Sequence, residues 1–314
     1  MGASEFDKIG RLAKLFRKLG AKGVVTGIGD DAAVLDAPTG KLVWTVDEQV
    51  EGSHFRRELV SWNDVGWRSF MAAASDVAAM AATPWCALSA LSLPADFEDR
   101  ALDELARGQE AAATVVGAPI VGGNLTRGPV VSVTTTLLGS CARAIERGGA
   151  REGDGLFICG PLGLASAGLA ALERGSSDPH VAPAVAAWRR PMAQIDAGIV
   201  LAAVGAHAAI DISDGLTQDL AHLAHASGLR AVLDEAALFA HAGTSLHEAA
   251  AALAIDPLEC ILYGGEDYGL VAASDRDLPG FFRIGTLFAG KGISLTRGAA
   301  EEAIVPRGFD HFTT

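Results

Sequence analysis

The sequence predicts a mixed α/β protein of the α+β type, built as two domains. Three observations carry that prediction. The chain has 314 residues, enough for two cores. Short apolar runs bounded by Gly and Pro alternate with longer stretches of helical period. Between 143 and 155, Arg143, Glu146, Arg147, Arg151, Glu152 and Asp154 crowd together with glycines and no apolar run interrupts them. A domain boundary is placed there, giving 1–145 and 146–314.

The first half begins with a helix over 5–19, with Phe6, Ile9, Leu12, Leu15, Phe16 and Leu19 near one face. A Gly-rich turn follows at 27–29, then a strand over 41–47 ending on an acidic residue. The pattern continues with a helix over 62–80, a strand over 85–93 between two prolines and an Ala-rich helix over 98–116. A short strand over 118–121 is stopped by Gly122-Gly123, and an alternating strand spans 129–138. The second half repeats strand and helix: strands over 156–159, 208–212, 231–233 and 268–272, and helices over 162–173, 195–204, from 216 to about 226, and 247–254. The segment 175–183 reads as a loop.

Composition excludes several classes. Half the residues are hydrophobic and the net charge is −13, so the chain is globular and lacks the basic surface that non-specific nucleic-acid binding needs. The N-terminus has neither a basic, apolar leader nor a myristoylation pattern, since Phe6 stands where Ser or Thr is required. Two uncharged stretches, 77–95 and 155–172, carry Pro and Gly and read as core pieces, not membrane spans. Cys86, Cys141, Cys159 and Cys260 form no CxxC pair and read as buried, reduced thiols. The cytoplasm is the expected compartment.

Chemistry is concentrated in carboxylates set among small residues. They stand at Gly29-Asp30-Asp31, Thr45-Val46-Asp47, Ser75-Asp76, Asp211-Ile212-Ser213-Asp214-Gly215 and Gly264-Gly265-Glu266-Asp267. One such cluster is a turn. Several, far apart in sequence, suggest that the fold gathers oxygen ligands for a hard cation such as Mg²⁺, with small neighbours admitting a close-lying nucleotide. Neither a Walker loop, a protein-kinase motif set nor a complete GxGxxG is present. No Ser-His-Asp or Cys-His set stands out either. His222, His225, His241 and His247 fall on Ala-rich helical stretches and read as structural or solvated.

These blocks are joined by others in a fixed order: Val50-Glu51-Gly52-Ser53-His54-Phe55, Ser75-Asp76-Val77-Ala78-Ala79-Met80, Gly122-Gly123-Asn124-Leu125-Thr126-Arg127-Gly128, Arg147-Gly148-Gly149-Ala150, Gly264-Gly265-Glu266-Asp267-Tyr268 and Gly308-Phe309-Asp310-His311-Phe312. In that order the chain resembles the thiamine-monophosphate kinases. They lie within the superfamily of aminoimidazole ribonucleotide synthetase, selenophosphate synthetase and hydrogenase maturation protein E. The resemblance implies an aminoimidazole ribonucleotide synthetase-like fold whose N-terminal sheet forms a β-barrel across a homodimer. It implies an N-terminal domain for ATP, Mg²⁺ and dimerisation, and a C-terminal α/β domain. It also implies phosphorylation of thiamine phosphate by ATP with several Mg²⁺ ions, and no nucleic-acid or membrane partner. Carried over by position, Asp31, Thr45, Asp47, Asp76, Asn124, Asp211 and Asp214 would hold metal. Gly123, Asn124, Arg147 and Ser213 would contact ATP, and His54, Glu266 and Phe309 would line the thiamine pocket.

The chain departs from the family pattern in places. Asn124 replaces a metal-binding Asp, so one charge is lost. Val46 and Glu48 replace threonines, Ala74 replaces an Asn, and 106–108 lacks an aromatic. Two rivals follow: an ATP-dependent superfamily enzyme acting on a carbonyl or selenide, and a nucleotide-binding protein without turnover.

Overall fold

The computed structural model of the chain describes residues 5–16, 20, 22–309 and 311–312, with side chains from Asp7 onward. The last part of the expected first helix, 17–19, lies outside the described residues, as do the side chain of Phe6 and Asp310 of the closing block. The chain divides into two compact units, residues 1–77 with 82–142, and residues 78–81 with 143–314.

The first unit contains α1 (Glu5–Phe16), β1 (Val24–Thr26), β2 (Val34–Leu35), β3 (Lys41–Val50), α2 (Trp62–Ala79), β4 (Thr83–Leu93), α3 (Asp99–Val116), β5 (Ile120–Arg127) and β6 (Ser132–Cys141). β1 and β2 form a small hairpin, and the remaining strands form a sheet in the order β3-β6-β4-β5. β4 and β5 are parallel; the other pairs are antiparallel. α3 ends where Gly117 adopts a left-handed conformation and returns its N–H to Ala113. α2 and α3 cross where glycines remove bulk: a Cβ on Gly66 would lie 2.0 Å from the Leu105 carbonyl oxygen, and one on Gly108 would lie 1.9 Å from that of Asn63.

Alternation along β3 sorts its residues. Val43, Thr45, Asp47 and Gln49 point to the helix-covered face, where α2 buries Phe70, Met71, Ala73, Ala74 and Val77. Leu42, Trp44, Val46 and Glu48 point the other way and are exposed, Trp44 by 72% and Val46 by 63%. The register continues that open face through Leu138, Thr136 and Thr134 of β6 to Leu88 and Ala90 of β4.

The second unit contains β7 (Gly155–Cys159), α4 (Leu164–Glu173), α5 (Ala182–Arg189), α6 (Ile195–Val204), β8 (Ala208–Asp211), α7 (Leu216–Ser227), β9 (Leu229–Asp234), α8 (Glu235–Leu253), α9 (Pro257–Tyr263), β10 (Leu270–Ser274), β11 (Phe282–Ala289), β12 (Gly292–Arg297) and β13 (Ala300–Ile304). Its sheet runs β13-β12-β9-β11-β7-β10-β8, antiparallel except for β12 beside β9. β8 and β10 are buried along their whole length and β7 along nearly all of it. One face packs on a large core that includes Leu156, Ile158, Leu216, Leu220, Leu223 and Ile261. The other packs on a smaller core with Phe157, Leu201, Leu270 and Ala272.

Several sequence expectations need correction. β5 does not stop at Gly122-Gly123; it runs on to Arg127, because the glycines let it lie against β4, where a Cβ on Gly123 would sit 1.8 Å from the Ser89 carbonyl oxygen. The helix expected over 247–254 is the second half of α8, and Gly243 (φ 73°, ψ −179°) breaks the helical geometry between the halves. The segment 175–183 is not all loop, since a 3₁₀ turn at Pro179–Val181 leads into α5. Cys141 and Cys159 are half-buried, while Cys86 and Cys260 are buried; all four are reduced. No helix among the described residues is long and apolar enough to cross a membrane.

Candidate active site

Each unit assembles its own acidic group. In the first, the turn after β1 places Asp30 and Asp31 side by side. The Asp31 N–H donates to Asp30 Oδ1 at 2.9 Å, so Asp30 shapes the turn and the exposed Asp31 carboxylate is directed elsewhere. Thr45 and Asp47 are two residues apart on β3 and therefore share the covered face, both half-buried. Thr45 donates its hydroxyl to Asp76 Oδ2 at 2.5 Å, tying β3 to α2. In the next strand, opposite Asp47, Thr135 carries a buried hydroxyl without a hydrogen-bond partner. His54 lies in the turn after β3, where its Nδ1 accepts the Val50 N–H at 3.1 Å. That acceptor role leaves Nε2 as the N–H of the neutral ring.

Gly123 and Asn124 separate across the sheet. Asp47, Thr135, Ser89 and Gly123 form one row, whereas Glu48, Thr134, Ala90 and Asn124 form the next, on the open face. Asn124 is therefore not gathered with Thr45, Asp47 and Asp76.

In the second unit, two loops run side by side at the ends of β8 and β10. Ile212 N–H donates to the Gly269 carbonyl, Tyr268 N–H to that of Ile212, and Glu266 N–H to that of Ser213, at 2.8–2.9 Å. Gly265 makes this approach possible, since a Cβ there would stand 2.5 Å from the Ser213 carbonyl oxygen. Phe309 N–H donates to the Asp214 carbonyl at 3.1 Å. The structure thus brings Asp211, Ser213, Asp214, Glu266 and Phe309 to one place. Arg147 is not among them. Its carbonyl accepts from Ser227 at the far end of α7, a helix of 12 residues and so about 18 Å long, whose other end carries the Ser213–Gly215 turn.

Four residues to which the motifs gave no role shape this site. Asp219 Oδ2 accepts the N–H groups of Ser213, Asp214 and Gly215 at 3.0–3.1 Å. A helix N-terminus ordinarily offers such groups to phosphate; here the chain uses them itself, and Asp214 does not cap the helix. Burial first, and then Asp211 and Asp214, push the Asp219 carboxyl up to about 8. Asp267 is buried and accepts from Gly163 and Ala165, opening α4 from a distance; burial pushes its carboxyl up to about 7. On either side of it, Glu266 (φ 65°) and Tyr268 (φ 50°) hold left-handed backbone, a strain typical of functional loops. Buried Trp188 donates Nε1–H to Glu266 Oε2 at 2.6 Å. Gln218 reaches both Asp214 and Phe309. Two of them carried a sequence signal: Asp267 stands inside the Gly264-Gly265-Glu266-Asp267 block, and Asp219 is a carboxylate in line with the apolar face of Leu216, Leu220 and Leu223.

The donors suit Mg²⁺. They are hard oxygens, and the repulsion that Asp211 and Asp214 exert on Asp219 is of the kind a cation relieves. Among the described residues no three His, Cys, Asp or Glu side chains form a ready-made cation cage. Mg²⁺ characteristically binds through one or two carboxylates, waters and substrate phosphates instead.

The chain is similar to known proteins over nearly its whole length. The family described as AIR synthase related protein, N-terminal domain, matches residues 29–141, and its C-terminal counterpart matches 151–296. The chain is 37% identical over 301 residues to the thiamine-monophosphate kinase of Mycobacterium tuberculosis H37Rv, covering 94% of this chain and 88% of that protein. It is 32% identical to the Aquifex aeolicus thiamine-monophosphate kinase, covering 91% and 92%. It superposes on the solved complex of AaThiL with AMPPCP and TMP with a TM-score of 0.81 at 30% identity, covering 98% and 97%. Hydrogenase maturation protein HypE, at 18% identity and a TM-score of 0.77, shares the fold (97% and 95% covered).

Proposed function

The chain belongs to the thiamine-monophosphate kinase family, within the AIR synthase-related fold, and from that premise we propose that it transfers the γ-phosphoryl group of ATP directly to thiamine phosphate. The products are thiamine diphosphate and ADP. The observation that carries the reading is the joining of Asp211, Ser213 and Asp214 to Glu266 and Phe309 by loop-to-loop hydrogen bonds. A metal-and-phosphate group and a pocket for an aromatic cation thereby share one wall.

In the first unit Asp31, Thr45, Asp47 and Asp76 would hold Mg²⁺, and in the second Asp211 and Asp214 would; the ion would supply charge neutralisation on the transferred phosphoryl. The protein's own work is alignment. Thr45 fixes the Asp76 carboxylate. Asp219 stiffens the Ser213–Gly215 turn that presents Asp214. Trp188 orients Glu266, whose negative charge faces the thiazolium, and the Phe309 ring supplies a π-face for the same cation. The acceptor is a phosphate that is largely ionised near neutrality, so its oxygen attacks phosphorus with no general base. His54 carries its substrate-binding role by resemblance and presents Nε2–H. Gly123 and Ser213 contact ATP; Arg147 and Asn124 carry their assigned roles by resemblance alone.

The open face of the first unit supports a homodimer. Leu42, Trp44, Val46 and Leu88 form an exposed apolar stripe on a sheet whose other face is covered, which marks an association surface. We take it as the face that a second copy closes into a barrel. The compartment that fits such an enzyme is the cytoplasm.

Incubating the purified protein with Mg-ATP and thiamine phosphate, and resolving the products by chromatography, tests the reading. Thiamine diphosphate is the expected product. ADP and phosphate with unchanged thiamine phosphate point to the carbonyl- or selenide-activating rival, and ATP binding without turnover to the inactive one.

A further inference from the structure

The stretch 305–309 lies against the start of α7, and the contacts are specific. The buried Thr217 hydroxyl donates to the Arg307 carbonyl at 3.0 Å and accepts the Arg307 N–H at 3.2 Å, clipping that residue's backbone at both ends. Gln218 Nε2 donates to the Phe309 carbonyl at 2.9 Å and to Asp214 Oδ2 at 3.4 Å. Both partners accept only, so the amide orientation follows from chemistry. Between the two clips there is no room for a side chain: a Cβ on Gly308 would stand 2.7 Å from the Asp214 carbonyl oxygen and 2.8 Å from Gln218. Outside them, the Arg307 guanidinium stacks on Tyr263 at 3.8 Å and pairs with Glu259. Meanwhile Phe309 leaves nearly half of itself exposed (47%).

From this arrangement we infer that Thr217 and Gln218 are positioning residues that set selectivity for the cationic half of the substrate. They lash the 307–309 strap to α7, so that the Phe309 ring stands at a fixed distance from Asp214. Gln218 is the direct link, since one nitrogen holds both the carboxylate that faces metal and the backbone that carries the ring. An aromatic ring on an untethered tail pays ordering entropy each time it covers a ligand; a tethered one has lost that freedom already. The inference rests on the proposed kinase reading, and concerns substrate affinity more than the transfer step.

Gln218→Met keeps the side-chain volume and removes the donors. Thr217→Val keeps the shape and removes the hydroxyl. Each is expected to raise KM for thiamine phosphate about tenfold, the size of one lost hydrogen-bonded restraint, with KM for ATP within about twofold of wild type; kcat stays within about twofold in Thr217→Val, which leaves the Gln218–Asp214 contact in place. Hydrogen–deuterium exchange supplies an activity-free readout: the Phe309 and Arg307 amides exchange faster in the variants while the β10 amides stay protected. Unchanged KM for thiamine phosphate in both variants, or unchanged exchange at Phe309 in Gln218→Met, overturns the inference. A wild-type protein that makes no thiamine diphosphate overturns the kinase reading instead, and the exchange data still decide whether the strap is held as described.

Discussion

The two sheets of this protein are finished to different degrees. In the second unit β8 and β10 are buried from end to end, with a core on each face. In the first, one face lies under α2 and α3 while the other leaves Trp44 and Val46 open. Around β8 and β10 the second sheet is covered on both faces; the first sheet has an apolar stripe left open. The carboxylates are divided in a parallel way. Thr45, Asp47 and Asp76 stand on the covered side of the unfinished sheet, whereas Asp211 closes β8 of the finished one and Asp214 stands in the loop that follows it. Stability and function are therefore expected to respond differently to changes in the two units.

The largest effect is expected where the units are alike. Asp76→Asn in the first and Asp214→Asn in the second each remove a charge from a proposed Mg²⁺-binding group, and each should lower kcat by about 10²–10³. A loss below tenfold in either would mean that its carboxylate group does not serve the reaction. Where the units differ, Trp44→Glu on the open face should convert dimer to monomer in sedimentation velocity. Phe288→Lys, at an exposed position of the finished sheet, should leave the oligomeric state alone. Equal behaviour of the two variants would erase the distinction between the sheets.

A subtler contrast concerns charge inside the finished unit. Burial raises the Asp267 carboxyl to about 7, against about 3.9 in the unfolded chain. Between those values the folded state retains a proton that the unfolded state has released, so stability falls as pH rises through that window. Asp267→Asn does not titrate. In urea denaturation the wild type should lose stability relative to the Asn variant between about pH 4.5 and about pH 7.5; a constant difference would show that Asp267 is ionised throughout. The smallest effect is expected at Asn124. Asn124→Asp should lower the half-saturating Mg²⁺ concentration only by about two- to threefold, because the register sets this residue on the opposite face from Asp47. An unchanged value would count against a ligand role.

Period and punctuation made much of the fold legible. The alternation over 129–138 predicted a strand where β6 stands, and Asp211-Ile212-Ser213-Asp214-Gly215 following an apolar run revealed a strand leading into a loop and a helix. What escaped was governed by tertiary contact. β5 continues through two glycines because its neighbour approaches closely. Gly243 breaks α8 and disguised its first half. β11, β12 and β13 went unrecognised because their sequences mix exposed charges and glycines with few buried positions. In the site, the acidic motifs were readable as residue types. The partners that orient them were not: Trp188 meets Glu266 across 78 positions and Gln218 meets Phe309 across 91, and no local pattern encodes such a pair.

The most direct measurement follows a single phosphorus atom. With ATP labelled at the γ-position, thiamine phosphate and Mg²⁺, the label should appear in the terminal phosphate of thiamine diphosphate, one for each ADP formed. Label recovered only as inorganic phosphate, with thiamine phosphate intact, would contradict direct transfer by these carboxylates.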